Sequence, residues 1–237
     1  MRIPANAVEG IFVRRVNRFR AEVRAGRKNL AVHVAHSGRL GELLVPGNRV
    51  LLIPAAGAER KTSHDLLLAG RPDGRGWVCV DARVPNKLMK EALEAGRLPG
   101  FEGFSRISPE PRVPGGRLDF CLTGEGVRPC WIETKCVTLV EEGVARFPDA
   151  PTIRGARHLR HLIGRARAGG RSAVLFIISR PDARSFSPNE KNDPLFAETL
   201  REAVSAGVTA RALKCDVNKK RIQILDEIPM RIAPPPP

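Results

Sequence analysis

Asp119 and Glu133 flank a stretch that contains Gly124, Gly126 and Pro129, and Lys135 follows two residues after the glutamate. Two acids and an amine so arranged suit a cradle built across a β-hairpin. Residues 117–122 and 130–139 read as its strands. Side chains alternate along a strand, so Leu118, Phe120 and Leu122 share one face, and Arg117, Asp119 and Cys121 the other. On the second strand Ile132, Thr134 and Cys136 lie opposite Trp131, Glu133 and Lys135. With the apolar sets turned to the core, Asp119, Glu133 and Lys135 meet on the remaining face. Gly126 is the midpoint of the two acids, so a symmetric hairpin pairs them directly, at about 4.5–5.5 Å between Cβ atoms. Facing carboxylates repel unless a positive group lies between them. Lys135 is one candidate, and a divalent cation taking oxygen ligands is another. The plain alternative is a surface hairpin whose salt bridge is worth under about 1 kcal/mol.

The elements that must position these residues differ between the two parts of the chain. Short apolar or alternating runs at 8–16, 19–23, 29–36, 49–54, 64–69 and 76–81 are punctuated by Gly26, Gly38, Gly41, Gly47, Gly57 and Gly74. Such spacing, with no helical period, predicts a small β-barrel of the OB-fold kind over residues 1–82. From residue 83 to 228 the signals are those of an α/β domain. Leu88, Met89, Ala92 and Leu93 recur at helical spacing over 86–95, and Gly96 is a stop. Residues 98–114, rich in Gly, Pro and Ser, read as a loop. A helix is predicted over 154–168, with Leu159, Leu162, Ile163 and Ala166 on one face, followed by a buried strand at 172–179. Asp193 and Pro194 open a further helix to about residue 206, with a strand at 208–215 after it. Residues 229–237 read as a proline-rich tail.

The order helix, hairpin with Asp and then Glu-x-Lys, helix, strand resembles the PD-(D/E)XK nuclease core. That resemblance implies Mg²⁺ or Mn²⁺ held by Asp119 and Glu133, with Glu91 on the first helix as a further ligand or water-holder. Lys135 would orient or help deprotonate the attacking water and stabilise charge on the phosphate. The chain is also similar over nearly its whole length to the sugar fermentation stimulation (SfsA) proteins. The likeness is carried by NRFRAEV at Asn17, HSGRLGELLVPG at His36, RLDF at Arg117, IETKCVTL at Ile132 and FPDAPTIRGARHLRHL at Phe147. It implies an OB-fold-like barrel joined to a PD-(D/E)XK nuclease-like α/β domain, and DNA binding. The chain departs from the family pattern at Gly116, at Thr134 and Cys136, and at His36-Ser37-Gly38, where Asn-Thr-Gly is common; the two acids and the lysine are kept.

The charge agrees with a polyanionic partner. Lys and Arg number 40 against 25 Asp and Glu, a formal net of +15, and 31 of the 40 are arginine. Each phosphate neutralised releases counterions and adds affinity, although a GC-rich genome would also enrich Arg, Ala, Gly and Pro. Without tyrosine, and with 5% aromatic residues, an extended base-stacking platform is not expected, so double-stranded DNA is the expected partner. Arg117, Arg154, Arg157, Arg160 and Lys61 are the candidate nucleic-acid contacts. The helix from Arg154 would lie along a phosphate backbone, the alternative being an ordinary solvated face. His158 and His161 lack a third ligand nearby and are weak candidates for a metal pair. Cys136 is expected to pack rather than react. The trio Glu59-Arg60-Lys61 is expected at the domain interface, at nucleic acid or in an exposed loop. Five cysteines without a CxxC give neither a disulfide framework nor a zinc ribbon, so a reducing, cytoplasmic setting is expected. No secretory signal or membrane span is legible, and the oligomeric state is open, with a homodimer compatible. Three functions compete: a metal-dependent DNA nuclease, a non-catalytic DNA-binding regulator of carbohydrate-metabolism genes that keeps the nuclease fold, and a protein-interaction regulator whose charge reflects genome composition.

Overall fold

Alternate apolar side chains of the first strands converge on one interior. In the computed structural model, which describes residues 1–55 and 60–232, β1 (Val8–Asn17), β2 (Arg20–Ala25), β3 (Lys28–His33), β4 (Arg49–Pro54) and β5 (His64–Gly70) form a ring. β1 pairs with β2 and β4, β2 with β3, and β4 with β5. A short parallel pairing of Val32 with His64 and His33 with Asp65 closes it. Phe12, Ala21, Val23, Val32, Val50, Leu52 and Leu66 fill the barrel. β5 is apolar on both faces because Leu67 and Leu68 point outward into a second core. β6 (Trp77–Cys79) extends the β5 edge, and its Cys79 N–H donates to Ser179 of the following domain at 2.9 Å. Gly57 and Glu59 lie outside the described residues.

The second domain begins with α1 (Val84–Glu94), opened by Pro85, whose fixed φ suits the first turn. β7 (Arg106–Pro109), β8 (Arg112–Val113), β9 (Gly116–Arg117), β10 (Phe120–Gly124) and β11 (Val127–Val137) follow, then β12 (Leu139–Glu141) and β13 (Val144–Phe147). The chain continues through α2 (Ile153–Arg167), β14 (Arg171–Ile178), β15 (Ser185–Pro188), α3 (Pro194–Ser205), β16 (Thr209–Val217) and β17 (Ile222–Ile228). The main sheet has the order β17-β16-β14-β11-β10-β7, with β11, β14 and β16 parallel. On one side Leu88 and Met89 of α1 pack with Phe120, Ile132, Leu175 and the barrel's Leu51, Leu67 and Leu68. On the other, Leu159 and Leu162 of α2 and Phe196 and Leu200 of α3 cover Val174, Phe176 and Ile178. Each such side chain, fully buried, contributes about 1.5–3 kcal/mol. Asp193 caps α3 by accepting from Phe196 N, and its other oxygen accepts from Thr152 N at 2.7 Å; Thr152 in turn caps α2 through Gly155 N.

Several expectations are corrected. The strand expected at 117–122 is broken: Gly116–Arg117 pairs with β8, and β10 starts only at Phe120. Leu118 therefore packs under α2, whereas Phe120 and Leu122 face α1. The segment 98–114, expected as a loop, contains the edge strand β7. The start of the expected tail is ordered too, since Phe186 N–H donates to Pro229 O and Arg231 N–H donates to Phe186 O; residues 233–237 lie outside the described ones. Among the described residues no helix is long and apolar enough to cross a membrane.

Candidate active site at the domain junction

The β10–β11 ladder pairs Phe120 with Ile132, Cys121 with Trp131 and Leu122 with Cys130. Continued by one step, this register sets Asp119 opposite Glu133, and Gly126 turns the hairpin at φ 68°. Asp119 lies at the chain break, and its carboxylate is claimed by the neighbouring elements. Oδ2 accepts from Thr134 N and from the Thr134 hydroxyl, both at 2.7 Å. Oδ1 accepts from Asn86 Nδ2 of α1 at 2.8 Å. Burial, and then the Glu133 charge, push the Asp119 carboxyl above its usual range against these hydrogen bonds.

Glu133 is 3% exposed. Its Oε1 accepts from Lys135 Nζ at 2.6 Å and from Nδ1 of His158 on α2. His158 Nε2 accepts from Arg154 Nε at 3.2 Å, which leaves the imidazole proton on Nδ1, facing the glutamate. Burial alone would raise Glu133, but the Lys135 charge and the His158 and Lys135 hydrogen bonds outweigh it and hold the carboxyl low. The other oxygen, Oε2, is buried with no hydrogen-bond partner among the described residues. The face carrying Glu133 and Lys135, expected to be solvent-facing, is thus covered by α2.

Asp119, Glu133 and Lys135 line one cavity of about 340 Å³. Its walls also include Asn86, Asp149, Arg154, His158 and the barrel residues Arg18, His36 and Gly38. The loop His36-Ser37-Gly38, whose role the departure from the family's Asn-Thr-Gly left open, lines the cavity. Arg15 holds that loop by donating to the carbonyls of His36 and Gly38 at 3.0 and 2.9 Å. Gly38 needs its missing side chain, because a Cβ there would lie 2.7 Å from Cγ of Asp149.

The remaining candidates are scattered. Glu91 is not at the cavity: it pairs with the Met1 ammonium at 2.8 Å, because its position on α1 faces β17 and the N-terminus. Asn86, five residues earlier and so on another face of the helix, is the α1 residue that reaches the site. Arg154 stands at the rim, and Arg157 and Arg160 are exposed further along α2. Arg117 is exposed and pairs with Glu110 at 3.1 Å. Lys61 is exposed before β5, while its neighbour Arg60 joins Asp65, which also binds Arg83, at the junction of the domains. His161 is not beside the carboxylates, and its Nε2 has no partner among the described residues. Cys136 lines the cavity and is set against Ser179 at 3.6 Å, with its thiol pushed up to about 12 by burial. All five cysteines are free.

Among the described residues no three His, Cys, Asp or Glu side chains converge as a ready-made metal cage. The site nevertheless fits a hard cation held by two carboxylates with water completing its shell, as Mg²⁺ commonly is. The orphaned Glu133 Oε2 is the donor that such an ion would satisfy.

Fold and site together define an OB-fold barrel seated on an α/β unit, with two carboxylates and a lysine in the cavity between them. The family model described as the sugar fermentation stimulation protein RE domain matches residues 83–221, and that for the SfsA N-terminal OB domain matches residues 13–80. The chain belongs to the sugar fermentation stimulation protein family. A sugar fermentation stimulation protein homolog of Moorella thermoacetica is 42% identical over 231 residues, covering 97% of this chain and 99% of that one. The homolog of Desulforamulus reducens is 44% identical over 225 residues, covering 95% and 92%. The solved structure of Pyrococcus furiosus SfsA in complex with Ca²⁺ superposes with a TM-score of 0.89 at 35% identity, over 98% of each chain.

Proposed function

We propose that this protein binds DNA and that Asp119 and Glu133 hold a divalent cation, Mg²⁺ or Mn²⁺, for phosphodiester hydrolysis. The observation that carries the reading is the Glu133 carboxylate, sequestered between Lys135 and His158 with one oxygen unsatisfied. The relative described in complex with Ca²⁺ supports an oxygen-ligated ion on this fold. When bound, the cation would lower the pKa of a coordinated water and polarise the phosphate. The protein's own groups do the positioning. Thr134 and Asn86 orient Asp119, and His158 orients Glu133. Lys135 brings a buried positive charge to where negative charge grows on a phosphate. Arg154, Arg157 and Arg160, spaced by three on α2, form a cationic stripe along which a duplex backbone can lie, with Arg117 and Lys61 as outlying contacts. Free, buried thiols fit a reducing cytoplasm.

The test is incubation of linear, supercoiled and single-stranded DNA with Mg²⁺ or Mn²⁺, comparing the wild type with Asp119→Ala. Cleavage by the wild type, reduced at least about a hundredfold in the variant, is expected. Equal products from both, or none under either metal, would remove hydrolysis. One observation favours the second reading, a non-catalytic DNA-binding regulator: the donors around Asp119 and the Lys135–Glu133 pair already form a self-contained network. That reading gives no product but keeps binding, with log affinity falling by about 0.9 per phosphate neutralised for each unit of log salt.

A further inference from the structure

Phe19, in the turn between β1 and β2, is 47% exposed on a hairpin whose neighbouring residues are charged. Its position is rigid. Phe19 N–H donates to Asn17 Oδ1 at 2.9 Å. Its carbonyl accepts from Val34 N at 2.9 Å and from His33 Nδ1 at 3.0 Å. The ring stacks on His33, with 6.4 Å between centroids and 29° between planes. The Arg18 guanidinium lies over the ring, 5.5 Å from its centroid, where an incoming base would take its place. Arg18 also donates to Ser37 O at 3.2 Å and lines the cavity that holds Asp119 and Glu133. Among the described residues the hairpin's acid, Glu22, is taken by Arg14, which leaves Arg18 and Arg20 without an ion pair. A half-exposed aromatic ring, a cation without an ion pair among the described residues and the cavity wall therefore adjoin.

The cavity itself limits what can enter. At about 340 Å³ it is a small-ligand pocket, of the kind that spans about 300–1,000 Å³. It has room for about one nucleotide unit. Resting on the DNA-binding reading above, we propose that the β1–β2 hairpin captures a single strand of DNA: one base stacks on Phe19, its phosphate meets Arg18, and the strand continues into the cavity. Every base has a π-face, so this contact tolerates any sequence. The low aromatic content excludes an extended stacking platform and leaves room for this single stack.

The test is equilibrium binding by fluorescence anisotropy in EDTA at low salt. Labelled single strands and blunt duplexes of the same sequence are titrated with the wild type, Phe19→Ala and Phe19→Trp. Phe19→Ala is expected to weaken single-strand binding about tenfold or more, with an unchanged salt slope, and to leave duplex binding within about twofold. Phe19→Trp is expected to bind single strands as the wild type does, with its indole emission quenched on stacking. The ring is half exposed, so an unchanged thermal midpoint is expected to show that both variants fold. Single-strand affinity untouched by Phe19→Ala, equal losses on both forms, or unmoved indole emission would each overturn the proposal. Wild-type binding to duplex alone would defeat this inference and spare the reading it rests on; binding to neither form would defeat both.

Discussion

The half-buried Asp119 and the buried Glu133 line one cavity, yet their protons are held in opposite directions. Asp119 is raised by burial and by the Glu133 charge. Its folded pKa lies above the unfolded one, so its ionisation favours the unfolded chain, and stability falls as pH rises through that window. At neutral pH its charge is a liability that a cation would remove. Asp119→Asn removes that charge and keeps an oxygen for Thr134, and Asn86, whose Nδ2 donates to Oδ1 in the wild type, would turn its own amide over to accept from the new N–H₂. It should therefore raise the thermal midpoint in EDTA by a few degrees, since about 1 kcal/mol corresponds to about 2–4 °C for a chain of this size. Saturating Mn²⁺, which should stabilise the wild type by ligand linkage, should leave the variant unmoved. A thermal melt with and without metal checks both. That both acids reach one cavity was legible from a hairpin centred on Gly126, although the paired register ends one step short of them, at Phe120 and Ile132. The partners of Asp119 were not. Alternation put Asp119 and Thr134 on different faces, and only the break at Leu118–Asp119 lets them meet. Glu91 was the natural choice on α1 by charge, but the helix phase turns it to Met1 and presents Asn86 instead.

α2 performs two tasks at the scale of an element. Its apolar stripe, Leu159, Leu162 and Ile163, covers the sheet, and its second turn delivers His158 to Glu133. His158→Ala would leave that buried carboxylate short of a donor, a loss of about 1–3 kcal/mol. The penalty carries a pH signature. Glu133 is held low in the fold, so its contribution is present above its unfolded pKa and is lost as pH falls through the folded one. Urea unfolding of His158→Ala should show the full deficit at neutral pH and a shrinking one as acid protonates Glu133; a deficit independent of pH would contradict the role. Long periodic or continuous runs such as α2, α3 and β14 could be read from the chain because burial imposes their pattern. β7, β8, β9 and β12 could not, since strands of two to four residues at sheet edges hold too few side chains to display a period. The half-polar β17 hid for a related reason: as an edge strand it buries Ile222 and Ile228 and leaves its middle in water.

At the scale of the whole molecule, the cavity belongs to neither domain alone. Gly38 of the barrel abuts Asp149, which follows β13, and Leu40 N–H donates to Asp149 Oδ2 at 3.5 Å. Gly38→Ala would drive a methyl group into that carboxylate and should destabilise the protein by about 1–3 kcal/mol, as overpacking does. Asp149→Ala in the same chain should recover part of the loss. A double-mutant cycle by denaturant unfolding checks the coupling, and simple additivity would contradict the contact. Nothing in the sequence pattern could show this meeting of loops, because it depends on how two domains seat together. The barrel's outward Leu67 and Leu68 share a core with α1, and β6 hands a backbone hydrogen bond to Ser179. The two halves are thus not interchangeable modules. A chimera that grafts a foreign OB barrel onto this α/β unit would inherit the carboxylates but lose the wall facing them, so recombination can exchange these halves only as a matched pair.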